Sequence, residues 1–159
     1  MTKRTNAFIR WFCMSACVLL LATATAKVPL LVSGAALGGA LARDAVFPFL
    51  TAREAIAIAA ILEVGVALRL CRPEWASSRQ RLWWIAWITS LLALYRTARA
   101  LLPSTGPCPC LGAIPGSLGL SDRATSAVMW CILSYLFIGS VSLLAMVRRN
   151  SVEPTSECS

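Results

Sequence analysis

Histidine is absent from this 159-residue chain. With it go the commonest general base, metal ligand and haem ligand among the side chains. Acid is scarce too: seven Asp and Glu stand against fifteen Lys and Arg, for a formal net charge of +8. Charged residues make up only 14% of the chain, where soluble globular proteins carry about a quarter. The mean hydropathy is +0.71, and the charges gather between apolar stretches. That pattern argues against an ordinary soluble domain and for a polytopic membrane protein. The basic excess does not point to nucleic acid, because the basic residues stand at segment ends, where positive flanks orient helices in a bilayer. The length suits one small bundle and leaves no room for a sizeable second domain.

Four apolar stretches are long enough to be spans: residues 8–26, 54–70, 82–102 and 124–147. Each approaches the roughly 20 residues a helix needs to cross the hydrocarbon core. Ser121 and Asp122 are candidate N-caps for the last helix, and Trp83, Trp84 and Trp87 read as an interfacial anchor at the start of the third. The stretch 27–53 is apolar in part but broken by Pro29, Gly34, Gly38, Gly39 and Pro48. It is expected to be a loop with a short interfacial or re-entrant helix. The fold class predicted is therefore an all-α, integral membrane four-helix bundle. Residues 1–149 form its single domain, and 150–159 form a polar, disordered cytoplasmic tail.

Orientation follows from the basic residues. With a cytoplasmic N-terminus, nine lie inside: Lys3, Arg4, Arg10, Arg69, Arg72, Arg79, Arg81, Arg148 and Arg149. The other six are Lys27, Arg43, Arg53, Arg96, Arg99 and Arg123. The bias favours both termini inside and the segment between the third and fourth helices outside, as in a multi-pass protein of a bacterial inner membrane. Residues 1–26 also resemble a secretory signal, with a basic start and Ala24-Thr25-Ala26 as an A-x-A site. The apolar stretch is longer than most signal cores, which favours a retained helix, and cleavage would leave the later crossings unchanged.

That outer segment contains PCPCLG, residues 107–112, with two of the seven cysteines. Cys108 and Cys110 fall on the oxidising side, where a disulfide can form and persist. A bridge two residues apart closes a small ring and should be strained, and strained, exposed disulfides are the ones that exchange with partner thiols. Pro107 and Pro109 fix two φ angles and remove two N–H donors, and Gly112 supplies a turn. Two independent structural thiols are the plainer alternative. A zinc site would need a histidine or a second cysteine pair, which leaves Cu(I) as the metal two thiolates could hold; no resident metal is expected. Cys13 and Cys17, one helical turn apart, read as packing residues, and Cys71 and Cys158 as inert cytoplasmic thiols. Cys131 in the last helix is a candidate relay thiol or a packing residue.

Glu63 lies about nine residues inside the second stretch, roughly 14 Å down the axis at 1.5 Å per residue. A carboxyl that deep is costly and marks a functional site with a partner. Arg96, at a similar level, is the partner expected for it. Arg99, nearer the thiols, is expected to stabilise a Cys108 or Cys110 thiolate. Lys27 ends the first stretch on the same side, where it either snorkels or joins the site.

Four spans, an acid in the second, arginines late in the third and a C-x-C-Leu-Gly loop before the fourth resemble the MauE family, within the wider DoxX-like group of redox-associated membrane proteins. The residues that carry the resemblance are Lys27, Glu63, Arg96 and Cys108-Pro109-Cys110-Leu111-Gly112. It spans most of residues 8–147, with Pro109 and Leu111 standing where the family motif has Gly and an aromatic. The resemblance implies a role in methylamine utilisation, helping a methylamine dehydrogenase small subunit acquire periplasmic disulfides beside a thioredoxin-like partner.

The expectation is a thiol/disulfide protein that exchanges through Cys108 and Cys110 with a thioredoxin-like or exported client, and whether it is itself an enzyme is left open. One alternative is a quinone-linked disulfide generator of the DsbB or vitamin K epoxide reductase type, for which quinone would be the cofactor. Another is a non-catalytic membrane assembly or metal-handling subunit.

Overall fold

The computed structural model describes residues 3–33, 44, 46–72, 77–102 and 122–152. PCPCLG at 107–112 and Cys158 lie outside these residues. So do residues 34–43 and 45, within the stretch expected to hold a re-entrant helix. Among the described residues there are four helices and no strand: α1 (Lys3–Ser33), α2 (Ala52–Cys71), α3 (Ser78–Leu101) and α4 (Asp122–Val152).

The helix ends follow local chemistry. Thr51 caps α2 in a reciprocal box: its hydroxyl accepts the Glu54 N–H at 3.3 Å, and the Glu54 carboxylate accepts the Thr51 N–H at 2.8 Å. Ser77 caps α3 by accepting the Gln80 N–H at 3.3 Å. Both helices stop at the residue before a proline. Arg72 precedes Pro73 and Leu102 precedes Pro103, and both C-cap residues are extended, as the following ring demands.

Several boundaries differ from the expectation. α1 does not end at Ala26 but continues through Lys27 and Pro29 to Ser33. A proline interrupts one backbone hydrogen bond in the interior of a long helix, and the apolar residues on either side outweigh that loss. α4 runs to Val152, past the start of the expected tail, and Asp122 is its first residue rather than a flanking cap. Residues 46–50 are not helical: the Asp44 N–H donates to Leu50 O at 2.8 Å and the Leu50 N–H to Phe47 O at 2.9 Å, closing a turn.

Each helix buries a stripe at helical spacing. In α1 it runs through Ile9, Phe12, Ala16, Leu20, Thr23 and Lys27. In α2 it runs through Ile56, Glu63, Ala67 and Leu70, and in α3 through Leu82, Ile85, Thr89 and Arg96. α4 contributes Met129, Leu133, Leu136, Ser140 and Leu143. α1 packs chiefly on α2, and α3 on α4. Ser15 and Tyr135, 3.0 Å apart, tie α1 to α4, and the Arg69 guanidinium, 5.0 Å from the centre of the Trp84 ring, ties α2 to α3. The outer faces are apolar, with Trp11 75% and Ile61 71% exposed.

Two helices are long and apolar enough to cross a membrane, over Asn6–Pro29 and Arg123–Arg149. α2 and α3 occupy the other two expected spans but are shorter, and charges fall inside their apolar runs: Glu63 and Arg69 in one, Arg96 and Arg99 in the other.

Candidate functional site

The buried stripes of α1 and α2 each end in a charge, and the two charges meet. Lys27 Nζ lies 2.7 Å from Glu63 Oε1 and 2.6 Å from Oε2, with the two side chains 4% and 1% exposed. Each end of the pair is held from α1. Lys27 Nζ also donates to Thr23 O at 3.2 Å, and the Thr23 hydroxyl donates to Glu63 Oε2 at 3.3 Å. A buried carboxylate and ammonium are tolerated only when their remaining hydrogen-bonding capacity is met in this way.

This corrects the expected pairing, because Glu63 is bound by Lys27 and not by Arg96. The physical reason is the extension of α1. Because the helix continues past Ala26, Lys27 stays on its buried face instead of snorkelling from a frayed end, and the antiparallel α1–α2 packing sets it opposite Glu63.

Arg96 turns the other way, to α4. Its Nη2 donates to Ser126 Oγ at 2.8 Å and Ser126 O at 3.4 Å, and its guanidinium sits 5.8 Å from the centre of the Trp130 ring. Arg96 and the Lys27–Glu63 pair nonetheless line one small cavity of about 30 Å³ with Tyr95, Met129 and Leu133. That is room for one or two waters.

Beside Arg96 on α3, Tyr95 and Arg99 build a second polar group around Asp44. The Tyr95 hydroxyl donates to Asp44 Oδ2 at 2.7 Å, and Asp44 Oδ1 accepts the N–H groups of Val46 at 2.9 Å and Phe47 at 3.1 Å. Arg99 Nη1 is 4.0 Å from the same carboxylate. Burial alone would raise the Asp44 carboxyl. The Tyr95 hydroxyl, the two N–H groups and the Arg99 charge outweigh it and hold the carboxyl below the ordinary Asp range. The Phe47 ring stacks on Tyr95 at 6.0 Å, covering the contact.

Of the expected site residues, then, Lys27, Glu63, Arg96 and Arg99 gather at one end of the bundle, the end where α3 finishes and α4 begins. Cys131 does not join them: it is exposed on α4, and the cavity is lined by its neighbours Met129 and Leu133. Cys108, Cys110, Pro107, Pro109 and Gly112 lie outside the described residues. Sequence reasoning missed Thr23, Asp44, Tyr95 and Ser126. Asp44 alone carried a signal, as an acid in an apolar stretch of a chain that has few.

At the opposite end, Cys17 and Cys71 approach with their sulfurs 2.8 Å apart, though the sequence offered no reason to pair them. Among the described residues, no cluster of three or more His, Cys, Asp or Glu side chains is placed to hold a metal ion. No protein-family model, curated protein or solved structure matches the chain.

Proposed function

We propose that the chain is an integral membrane thiol/disulfide exchange protein with all four helices across the bilayer. Both termini face the cytoplasm, and the Cys108–Cys110 pair stands on the outer side. The observation that carries the membrane reading is the inverted distribution of polarity: Lys27, Glu63, Thr89, Arg96 and Ser140 are buried between helices whose outer faces carry exposed Trp11, Ile61, Leu94 and Ile138. Water would favour the reverse, whereas hydrocarbon favours this arrangement. The charges that keep α2 and α3 from qualifying by composition lie partly in that interior, where a partner offsets them, and partly at helix ends.

The exchange reading rests on where the polar groups gather. Arg99 is nine residues before Cys108 in the chain, and the last turns of α3, which the thiols follow in sequence, carry Tyr95 and Arg96 beside Lys27, Glu63 and Asp44. A thiolate of a partner dithiol attacks one sulfur of the Cys108–Cys110 disulfide, and the S–S bond breaks to release the other as a thiolate. The partner's second thiolate then attacks the mixed disulfide, leaving the partner oxidised and both loop thiols reduced. A thioredoxin-like disulfide takes up the two electrons to restore the pair. Cationic side chains at this end favour the leaving thiolate. The client of MauE-type proteins, a methylamine dehydrogenase subunit, is the specific partner this reading extends to.

The test is trapping. In cells expressing Cys110→Ser or Cys108→Ser, one variant should accumulate a mixed disulfide with an exported protein, visible on a non-reducing gel and removed by dithiothreitol. A membrane-impermeant maleimide added to intact spheroplasts should label both loop thiols after reduction. Absence of any trapped adduct in both variants would sink the exchange reading, and labelling only after lysis would sink the orientation.

A further inference from the structure

At the end of the bundle away from the Lys27–Glu63 pair, the α1–α2 interface brings together two thiols that lie 54 residues apart in the chain. Cys17 Sγ and Cys71 Sγ are 2.8 Å apart, both free, and Cys17 Sγ is also 3.5 Å from Ala67 O, one turn before Cys71. The two differ in access: Cys17 is 6% exposed within the α1 stripe, whereas Cys71 is exposed at the last residue of α2. Arg69 and Arg72 flank Cys71 in the chain, a cationic setting that attracts an anionic reagent. A disulfide bond measures about 2.05 Å, so the sulfurs need to close by less than about 1 Å.

We propose that Cys17 and Cys71 form a second thiol pair, which low-molecular-weight disulfides of the glutathione class oxidise to a disulfide tying α1 to α2. The Cys71 thiolate attacks one sulfur of glutathione disulfide, forming a Cys71–glutathione mixed disulfide and releasing one glutathione thiolate. The Cys17 thiol, losing its proton to water, then attacks the Cys71 sulfur. It forms the Cys17–Cys71 bond and releases the second glutathione. The protein gives up two electrons and the glutathione disulfide gains them. Cys71 is the entry sulfur because it is the accessible one, and Cys17 resolves because it is already in contact.

The experiment uses the full chain purified in detergent, equilibrated in glutathione buffers of graded ratio, acid-quenched, alkylated and digested with trypsin. The expected product is peptide 11–27 joined to peptide 70–79, which grows as oxidised glutathione increases and is lost on adding dithiothreitol. Cys71→Ser replaces an exposed side chain and should lose the linked peptide while keeping the melting temperature of the reduced protein. Cys13→Ser, one turn from Cys17, should keep the link. Accumulation of glutathionylated Cys71 beside alkylated Cys17 would overturn the proposal, as would linking by a copper oxidant but not by glutathione disulfide. The link should also form in the Cys108→Ser/Cys110→Ser double variant, so its outcome is independent of the outer loop.

Discussion

Both carboxylate oxygens of Glu63 lie within 2.7 Å of Lys27 Nζ, in a bundle interior that neither side chain leaves. A pair so placed is weak evidence of stability, because the cost of desolvating two ions roughly offsets their attraction. Its retention in the core therefore asks for a role, and the cavity beside it, with Tyr95 and Arg96 on its walls, is where that role would be exercised.

Removing one member of the pair strands the other. Lys27→Met or Glu63→Leu alone should destabilise the protein by about 3–5 kcal/mol, whereas the double replacement should fold about as well as the wild type. Thermal unfolding in detergent measures the stabilities, and trapping of the partner through a single loop cysteine measures the function. A double variant that is stable but no longer exchanges would separate a working ion pair from a structural one. A double variant that exchanges normally would leave the pair a packing device.

Arg96 is held by geometry that lysine cannot reproduce, with one guanidinium nitrogen on Ser126 while the planar group lies against the Trp130 ring. Ser126→Ala should cost about 1.5–3 kcal/mol, the range for a hydrogen bond to a charged group. Arg96→Lys should cost a similar amount, and the double variant less than the sum, because both remove the same contact. Denaturation of the four proteins of this cycle reads the coupling directly, and strict additivity would show that the contact carries no energy.

How much of this was legible in the sequence differs from residue to residue. The helices at 54–70 and 82–102 were visible because each is an apolar run of nearly the length a spanning helix needs, a property of composition that no tertiary context has to supply. The end of α1 was not: Lys27 and Pro29 look like punctuation, and only burial against α2 shows that the helix continues. Glu63 announced itself as a site because a mid-helix carboxylate in an apolar run needs a partner. Which cation supplies it depends on the rotation of two helices about their axes, which single-sequence spacing does not encode. The same limit hid the Cys17–Cys71 contact, since two thiols 54 residues apart meet only through the antiparallel register of α1 and α2.

The two glycines inside helices are not equivalent. A Cβ at Gly139 would overlap the ring of Phe12, itself packed 5.6 Å from Tyr135, whereas a Cβ at Gly65 meets nothing within 4 Å. Gly139→Ala should therefore push α4 from α1 and cost about 1–3 kcal/mol, as overpacking does. Gly65→Ala should be neutral or gain up to about 1 kcal/mol from helix propensity. Opposite shifts in melting temperature are the expected result, and a stabilised Gly139→Ala would show that Phe12 has space to move.

The Asp44 anchor makes a prediction about acid. Its carboxyl is held below the ordinary Asp range by Tyr95, two backbone N–H groups and Arg99 in spite of burial, so protons bind it more weakly in the folded protein than in the unfolded chain. The stability it contributes is fully present above the unfolded Asp value of about 3.9 and is lost as pH falls through the lower folded value. Asp44→Asn should thus lower the melting temperature most at neutral pH, with the gap to wild type closing below about pH 4. Tyr95→Phe, which removes one of the donors, should weaken the anchor in the same direction and by less. Melting curves for the three proteins between neutral and acid pH decide it. A gap that stays constant across the range would mean that the Asp44 charge does not hold the 44–50 turn to α3.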